Sequence, residues 1–362
     1  MAKKIRLAFA AAAVIPLGML AAACSSSPSS PTAPSSSSAA GGKTINETGS
    51  TLLFPLFGDW QTAYSDADPS VTITSGATGS GTGIADAATG LVNIGAADEY
   101  LSSSQVAQYP GLLNIPLTVA AVDVNYNVSG LKKPLNLSGT VLAEIYTGKI
   151  TTWNDSAIAA INPGVSLPAE KIVTLHRGDG SGQSLLFTSY LNAQDPSAWP
   201  SSDIGTTITW PSVAGSLAET GQGGMLTACG ATKGCIAYIG ISDLAKATAA
   251  GLGTAALADK SGAYEAPTSS TIASALASFP TPPATGDESL LNSGSGYPII
   301  NYEYAIVKKA QPNAAEAAAI KKFLTWVLDT GDTSTYVTPV GFLPLPAATE
   351  AVSAALINSI SG

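Results

Sequence analysis

The chain is 362 residues long, 45% hydrophobic and only 11% charged, with 16 Lys and Arg against 25 Asp and Glu, a net charge of −9, one His and three Cys. So acidic a chain lacks the basic surface that holds phosphate backbones, which excludes nucleic acid as a partner. One His and three Cys do not supply the ligands of a structural zinc site or a His-rich catalytic one, and they leave His176 as the one candidate for histidine catalysis.

The apolar fraction is too high for a disordered chain, and at ~150 residues per domain the length suits two globular units. Lys3, Lys4 and Arg6 precede the apolar run FAAAAVIPLGMLAAA, too short to span a bilayer, so residues 1–23 read as an export signal. The run ends in Leu20-Ala21-Ala22-Ala23-Cys24, which resembles a bacterial lipobox, and that resemblance makes Cys24 the acylated first residue of a mature, membrane-anchored protein. Loss of the three signal cations takes the net charge from −9 to −12. Residues 24–42, Ser- and Pro-rich with no large apolar side chain after Cys24, read as a flexible tether. Cys229 and Cys235, flanking GATKG, form an even pair in an exported chain and suit a small structural disulfide loop.

From Lys43 onward strand-like and helix-like segments alternate, which predicts an α/β fold with a largely parallel sheet. One pattern occurs three times. The strand-like run at 44–47 enters Thr48-Gly49-Ser50-Thr51, then a helix from Pro55 with Leu56, Trp60 and Tyr64 on one face. The run Val71–Thr74 enters Gly76–Gly81, then Ile84, Ala87, Ala88 and Leu91 at helical spacing. Lys171–Leu175 enters Arg177–Gly182, then the i, i+4 pairs Leu186 with Tyr190 and Phe187 with Leu191. In open α/β sheets ligands bind beyond the carboxyl ends of the strands, where a helix N-terminus offers free N–H groups to an anion. Glycine lets the backbone approach, and Ser or Thr adds a hydroxyl. Helix capping explains any one such turn; three, one of them with an Arg, point to a shared oxyanion site.

Catalytic readings fail on spacing. Ser181 has Asp179 and Gln183 where a nucleophile elbow needs glycines, and no phosphate-binding P-loop is present. His176 and Arg177 are neighbours on a predicted strand and point to opposite faces, which makes His176 structural. The tripeptide Arg177-Gly178-Asp179 matches a cell-adhesion sequence, but as a Gly turn it carries no such argument.

The segments ETGSTLLFPLF (47–57), GATGSGTGIADAATGLVNIGAAD (76–98), LHRGDGSGQSLLFTSYL (175–191) and YPIINYEYAIV (297–307) resemble the substrate-binding lipoprotein of bacterial phosphate ABC importers, in its actinobacterial branch. IYTGKITTWND (145–155) and GCIAYIGIS (234–242) extend the resemblance from about Glu47 to the C-terminus. It implies a type II periplasmic-binding-protein fold: lobe 1 from 43–121 and 298–362, lobe 2 from 122–297, with crossings near 117–127 and 297–307 and phosphate between the lobes. It also implies a monomer that hands phosphate to permease subunits, with no cofactor. The family's phosphate contacts fall on Thr51, Leu52 through its N–H, Ser80, Asp98, Arg177, Ser181, Gly182 and Gln183. Two positions depart from the family pattern, Ala97 where Ser is usual before the Asp, and Gln183 where Thr or Asp is usual; Gln183 retains its N–H at the helix start.

The set has a chemical logic of its own. A carboxylate among anion-binding donors repels a fully ionised ligand, so Asp98 requires a ligand with a proton to give it. Phosphate near neutral pH has one and sulfate has none. Arg177 supplies charge-assisted bonds and neutralises Asp98 or Asp179. Two other classes fit less well: a serine hydrolase or phosphatase using Ser181 or Ser80, and a surface adhesin with a protein partner. A receptor for arsenate or another protonated tetrahedral anion is the nearest neighbour of the phosphate reading.

Overall fold

The computed structural model describes residues 43–362 except 132 and 133; the export signal 1–23, the tether 24–42 and Cys24 lie outside the described residues. Runs rich in Ile, Val and Thr form the strands, and the Gly-rich turns after them start the helices. In chain order the strands are β1 (Lys43–Gly49), β2 (Val71–Thr74), β3 (Ile94–Ala97), β4 (Leu112–Tyr126), β5 (Asn136–Leu137), β6 (Val173–Arg177), β7 (Leu217–Glu219), β8 (Cys235–Gly240), β9 (Gly253–Thr254), β10 (Ala256–Ala258), β11 (Tyr264–Glu265) and β12 (Ile300–Lys308). The main sheet runs β2-β1-β3-β12-β4-β8-β6-β7, with β9 beside β4, and β11-β10-β5 form a small separate sheet.

The α/β class holds, but the sheet is less parallel than the alternation of elements implies. β1 pairs in parallel with β2 and β3, and β6 with β7 and β8. The centre is antiparallel, because β12 returns from the far end of the chain between β3 and β4, and β4 meets β8 head to tail. The segments 117–127 and 297–307 lie largely on β4 and β12. The ladder between them slips at one point, where Glu303 faces Thr118 but Tyr304 faces Pro116. Pro116 has no N–H to give the ladder, and the resulting bulge re-aims the side chains beside it.

The helix Phe54–Ala67 buries Leu56, Trp60 and Tyr64 as their spacing predicts, and Phe57 with them. Phe57 and Tyr64 meet Phe323 edge-on at 5.6 and 5.0 Å, so the helix Ala314–Trp326, from late in the chain, completes the layer on β1. The helix Ser80–Thr89 buries Ile84 and Ala87, but Leu91 is 70% exposed: Gly90, at φ 79°, ends the helix before the predicted face reaches it. Leu186, Phe187, Tyr190 and Leu191 are all buried on the helix Gly182–Gln194. Cys229 and Cys235 are joined as a disulfide with Cα atoms 5.4 Å apart. No described helix is long and apolar enough to cross a membrane.

Asp332 sits beneath the middle of β4. One carboxyl oxygen accepts from the Leu345 N–H at 2.6 Å, and burial raises its pKa to about 7. The stability contributed by its neutral form is complete below the ordinary Asp range and is lost as pH rises through about 7. Thermal unfolding midpoints should therefore fall between about pH 4 and 7, and fall less in Asp332→Asn; an equal decline in both proteins would contradict this.

Candidate functional site

The three Gly/Ser turns meet at the carboxyl ends of β1 and β6. Gly49 closes β1 at φ 142°, where an added Cβ would lie 2.0 Å from the Ala96 carbonyl oxygen, so glycine alone lets β1 turn there. Ser50 Oγ accepts from the N–H groups of Leu52 and Leu53 at 3.1 and 2.8 Å. Gly81 donates its N–H to the Gly180 carbonyl at 3.0 Å, which ties the second turn to the third. Ser181 caps the Gly182 helix through the Ser184 N–H at 3.3 Å. The hydroxyl cap expected at every turn is present only here; the other two helices have Leu53 and Gly79 at that position.

Arg177 crosses between the turns and is only 3% exposed. Its Nη1 donates to Thr51 Oγ1 at 3.1 Å, its Nε donates to Asp179 Oδ1 at 2.6 Å, and its Nη2 donates to Asp179 Oδ2. Asp179, not Asp98, takes the guanidinium. Burial works against ionising Asp179, but Arg177 holds it below the ordinary range. Of the five N–H donors of a guanidinium, two remain for another acceptor. Three hydroxyls around it share one property. Thr51 Oγ1 accepts from Arg177 and from the Gln222 N–H, Ser80 Oγ accepts from the Asp98 N–H, and Ser181 Oγ accepts from Ser184. Each therefore keeps its own proton to donate elsewhere. With the first N–H groups of the Gly182 helix, which have no intrahelical partner, these donors form a surface for an oxyanion.

Behind the donors lies a carboxyl cluster. Asp98 follows β3, is buried, and is contacted by Ser50 Oγ, which also lies 3.0 Å from Glu303 Oε2. One serine hydroxyl has one proton, so it cannot satisfy two carboxylates, and Glu303 brings the second. Burial, and then the charge of Asp98, push Glu303 well above the ordinary glutamate range. Asn301 donates to Glu303 Oε1 at 2.8 Å and to the Asp98 carbonyl at 3.1 Å. Burial also raises Asp98, against the opposing pull of Ser50 and Arg177. No described group of three or more His, Cys, Asp and Glu has the arrangement of a metal site.

Thr51, Ser80, Asp98, Arg177, Ser181, Gly182 and Gln183 thus all lie around one small region. The Leu52 N–H, in the first turn, donates to Ser50 Oγ at 3.1 Å. The Gln183 side chain turns away, its Nε2 donating to Gln222 Oε1 at 2.9 Å. His176 points to the opposite face of β6 and stacks on Trp210 with ring centroids 4.8 Å apart. Sequence reasoning missed Ser50, Glu99, Gln222, Asn301 and Glu303. Glu99 adjoins Asp98 and Glu303 lies within a quoted segment, so a carboxylate beside a motif was the available signal; Gln222 left none.

Ser50→Ala would strip partners from two buried N–H groups and from Asp98. Leaving such groups unpaired costs ~1–3 kcal/mol each. Urea unfolding should show a loss of at least ~1–3 kcal/mol, and an unchanged midpoint would remove Ser50 from its place as the hub of the cluster.

A family model for the PBP superfamily domain matches residues 34–330. The phosphate-binding protein PstS of Methanocaldococcus jannaschii is 33% identical over 338 residues, covering 87% of this chain and 86% of that protein. Phosphate-binding protein PstS 3 of Mycobacterium leprae is 31% identical over 324 residues, covering 85% of each. Among solved structures, a high-affinity periplasmic phosphate-binding protein bound with phosphate aligns with a TM-score of 0.68 at 23% identity, over 85% of this chain and 92% of that one. A phosphate ABC transporter substrate-binding protein of Clostridium perfringens with bound phosphate aligns at 0.61 and 18% identity, over 84% and 100%. These likenesses place the fold as that of type II periplasmic binding proteins, and the chain belongs to the PBP superfamily, in the family of PstS phosphate-binding proteins.

Proposed function

We propose that the protein captures inorganic phosphate outside the cytoplasm, closing two lobes around it, and delivers it to the permease subunits of an ABC importer. The observation that carries this reading is the convergence of three hydroxyls with unspent protons on Arg177, facing one buried carboxylate, Asp98. Thr51, Ser80 and Ser181 donate through their hydroxyls, and Arg177 through its two remaining N–H groups. Leu52, Gly182 and Gln183 act through their backbone N–H. Asp98 accepts the ligand's own proton. Sulfate fills the same donors but leaves Asp98 unpaired against an anion, a loss on both counts.

We take the lobes to be 43–121 with 298–362, and 122–297. Two observations support this: β4 changes partner between Ala121, opposite Ile300, and Val122, opposite Gly240, and Phe323 packs against the first helix. On this reading Cys24 is acylated, residues 24–42 tether a monomer to the outer face of the membrane, and the protein is of the actinobacterial branch, a reading supported by its 31% identity to the Mycobacterium leprae relative. A hydrolytic alternative has no imidazole to activate Ser80 or Ser181, since His176 is turned away against Trp210.

Calorimetric titration should show phosphate binding at one site with sulfate strongly disfavoured. Arg177→Ala should weaken phosphate binding by ~100-fold or more, the ~3 kcal/mol expected when one partner of a buried charge pair is removed. Asp98→Asn should narrow the gap between phosphate and sulfate. Unchanged affinity in the first variant, or equal rejection of sulfate by wild type and the second, would remove the residue concerned from the site.

A further inference from the structure

The mechanism above leaves one buried group at the site without a task. Glu99 is 5% exposed, and neither carboxyl oxygen has a hydrogen-bond partner among the described residues. It lies beside the Ser80 hydroxyl, which opposes the rise of its pKa, and points at the start of the Gly182 helix. A Cβ added at Gly182 would lie 2.0 Å from Glu99 Oε2 and 2.8 Å from Asp98 Oδ2, so the two carboxyls crowd one face of the same residue. Glu99 also lines a cavity of about 700 Å³, together with Tyr100, Asp287, Glu288, Tyr302 and Tyr304.

The charges facing Glu99 are therefore mostly of its own sign. Asp98 adjoins it, Glu303 of β12 lies beyond Asp98, and Asp287 and Glu288 line the cavity. Arg177, which acts on the adjoining Asp98, is already paired with Asp179. A phosphate brought into this place adds a further anion, which disfavours an ionised Glu99 beside it and Asp98. A neutral Glu99 instead presents one O–H, and a buried O–H without an acceptor costs ~1–3 kcal/mol. No described protein group accepts it; a phosphate oxygen at the helix start would.

Resting on the phosphate reading of the site, we propose that Glu99 is a further ligand-contacting residue that enters the closed complex as a neutral acid and donates its proton to phosphate. The anion is then held between an acceptor, Asp98, and a carboxylic-acid donor. Burial, reinforced by the charge of Asp98, raises Glu99 well above the ordinary glutamate range, in agreement with this geometry. In the open form Glu99 is solvated and ionised at neutral pH, so closure takes up a proton. The contribution of neutral Glu99 to affinity is complete below the ordinary glutamate range and is lost as pH rises toward the raised value, at about tenfold per pH unit.

The test is calorimetry with inorganic phosphate in two buffers of different ionisation enthalpy, between about pH 6 and 8.5, on wild type, Glu99→Gln and Glu99→Ala. Wild type should take up about one proton more per phosphate bound than Glu99→Gln, and its affinity should fall more steeply with pH. Glu99→Ala should share the shallow pH slope of Glu99→Gln but bind more weakly, since it has no donor. Equal proton uptake in wild type and both variants, with phosphate still bound, overturns the role of Glu99 alone. A wild type that binds no phosphate at any pH overturns the reading of the site and this proposal with it. Should Glu99→Gln fail to fold, a protonated-carboxyl infrared band appearing on phosphate addition to wild type and missing in Glu99→Ala supports the proposal, and no such band contradicts it.

Discussion

The site depends on a cation that is spent before any ligand arrives. Arg177 is buried and held by Asp179 on two nitrogens, so its charge is neutralised in place and the guanidinium is fixed in orientation. A free buried cation would attract any anion of the right size and would be costly in the empty protein. A paired one offers only direction: two N–H groups aimed from a rigid fork. The remaining attraction must come from dipoles, and the surrounding fold supplies them as serine and threonine hydroxyls whose acceptor duties are met inside the protein. Such a site recognises hydrogen-bond geometry and proton count more than charge. That accounts for how so acidic a chain can serve an anion: its negative surface slows approach, while capture rests on a small neutral interior.

The same economy of charge shapes the centre of the sheet. β4 and β12 join the two halves, and the bulge where Pro116 interrupts their ladder lies beside Glu303, the carboxyl that shares Ser50 with Asp98. The strands that carry the crossings of the proposed lobes thus also hold the acid behind Asp98, the carboxylate proposed to face the ligand. On the proposed division, a change in the lobes' relative position would alter how Asp98, Glu303 and Glu99 share protons, which would link closure to protonation.

Much of this was legible in the sequence because local chemistry dictates it. The three turns announce themselves through glycines and hydroxyls after β-branched runs, and the buried faces of the Phe54 and Gly182 helices follow from i, i+4 spacing. Arg177 and His176 fall on opposite faces because strand side chains alternate. What was not legible comes from long-range contact. Ser50 meets Glu303 across 253 positions, and no local pattern marks either as a partner. The antiparallel centre of the sheet required knowing that a strand from the far end returns between β3 and β4. Leu91 was read onto a buried face because Gly90 gives no sign, in spacing alone, that the helix stops there. Glu99 was passed over because it adjoins a residue that already had a role.

The central claim is that a single phosphate sits among the three turns with its proton directed at Asp98. A crystal structure of the protein grown with phosphate at neutral pH tests it most directly. The account predicts one tetrahedral anion within hydrogen-bond distance of Thr51, Ser80, Ser181 and Arg177, with one of its oxygens against the Asp98 carboxylate. An anion bound elsewhere, or one whose oxygens all avoid Asp98, would contradict it.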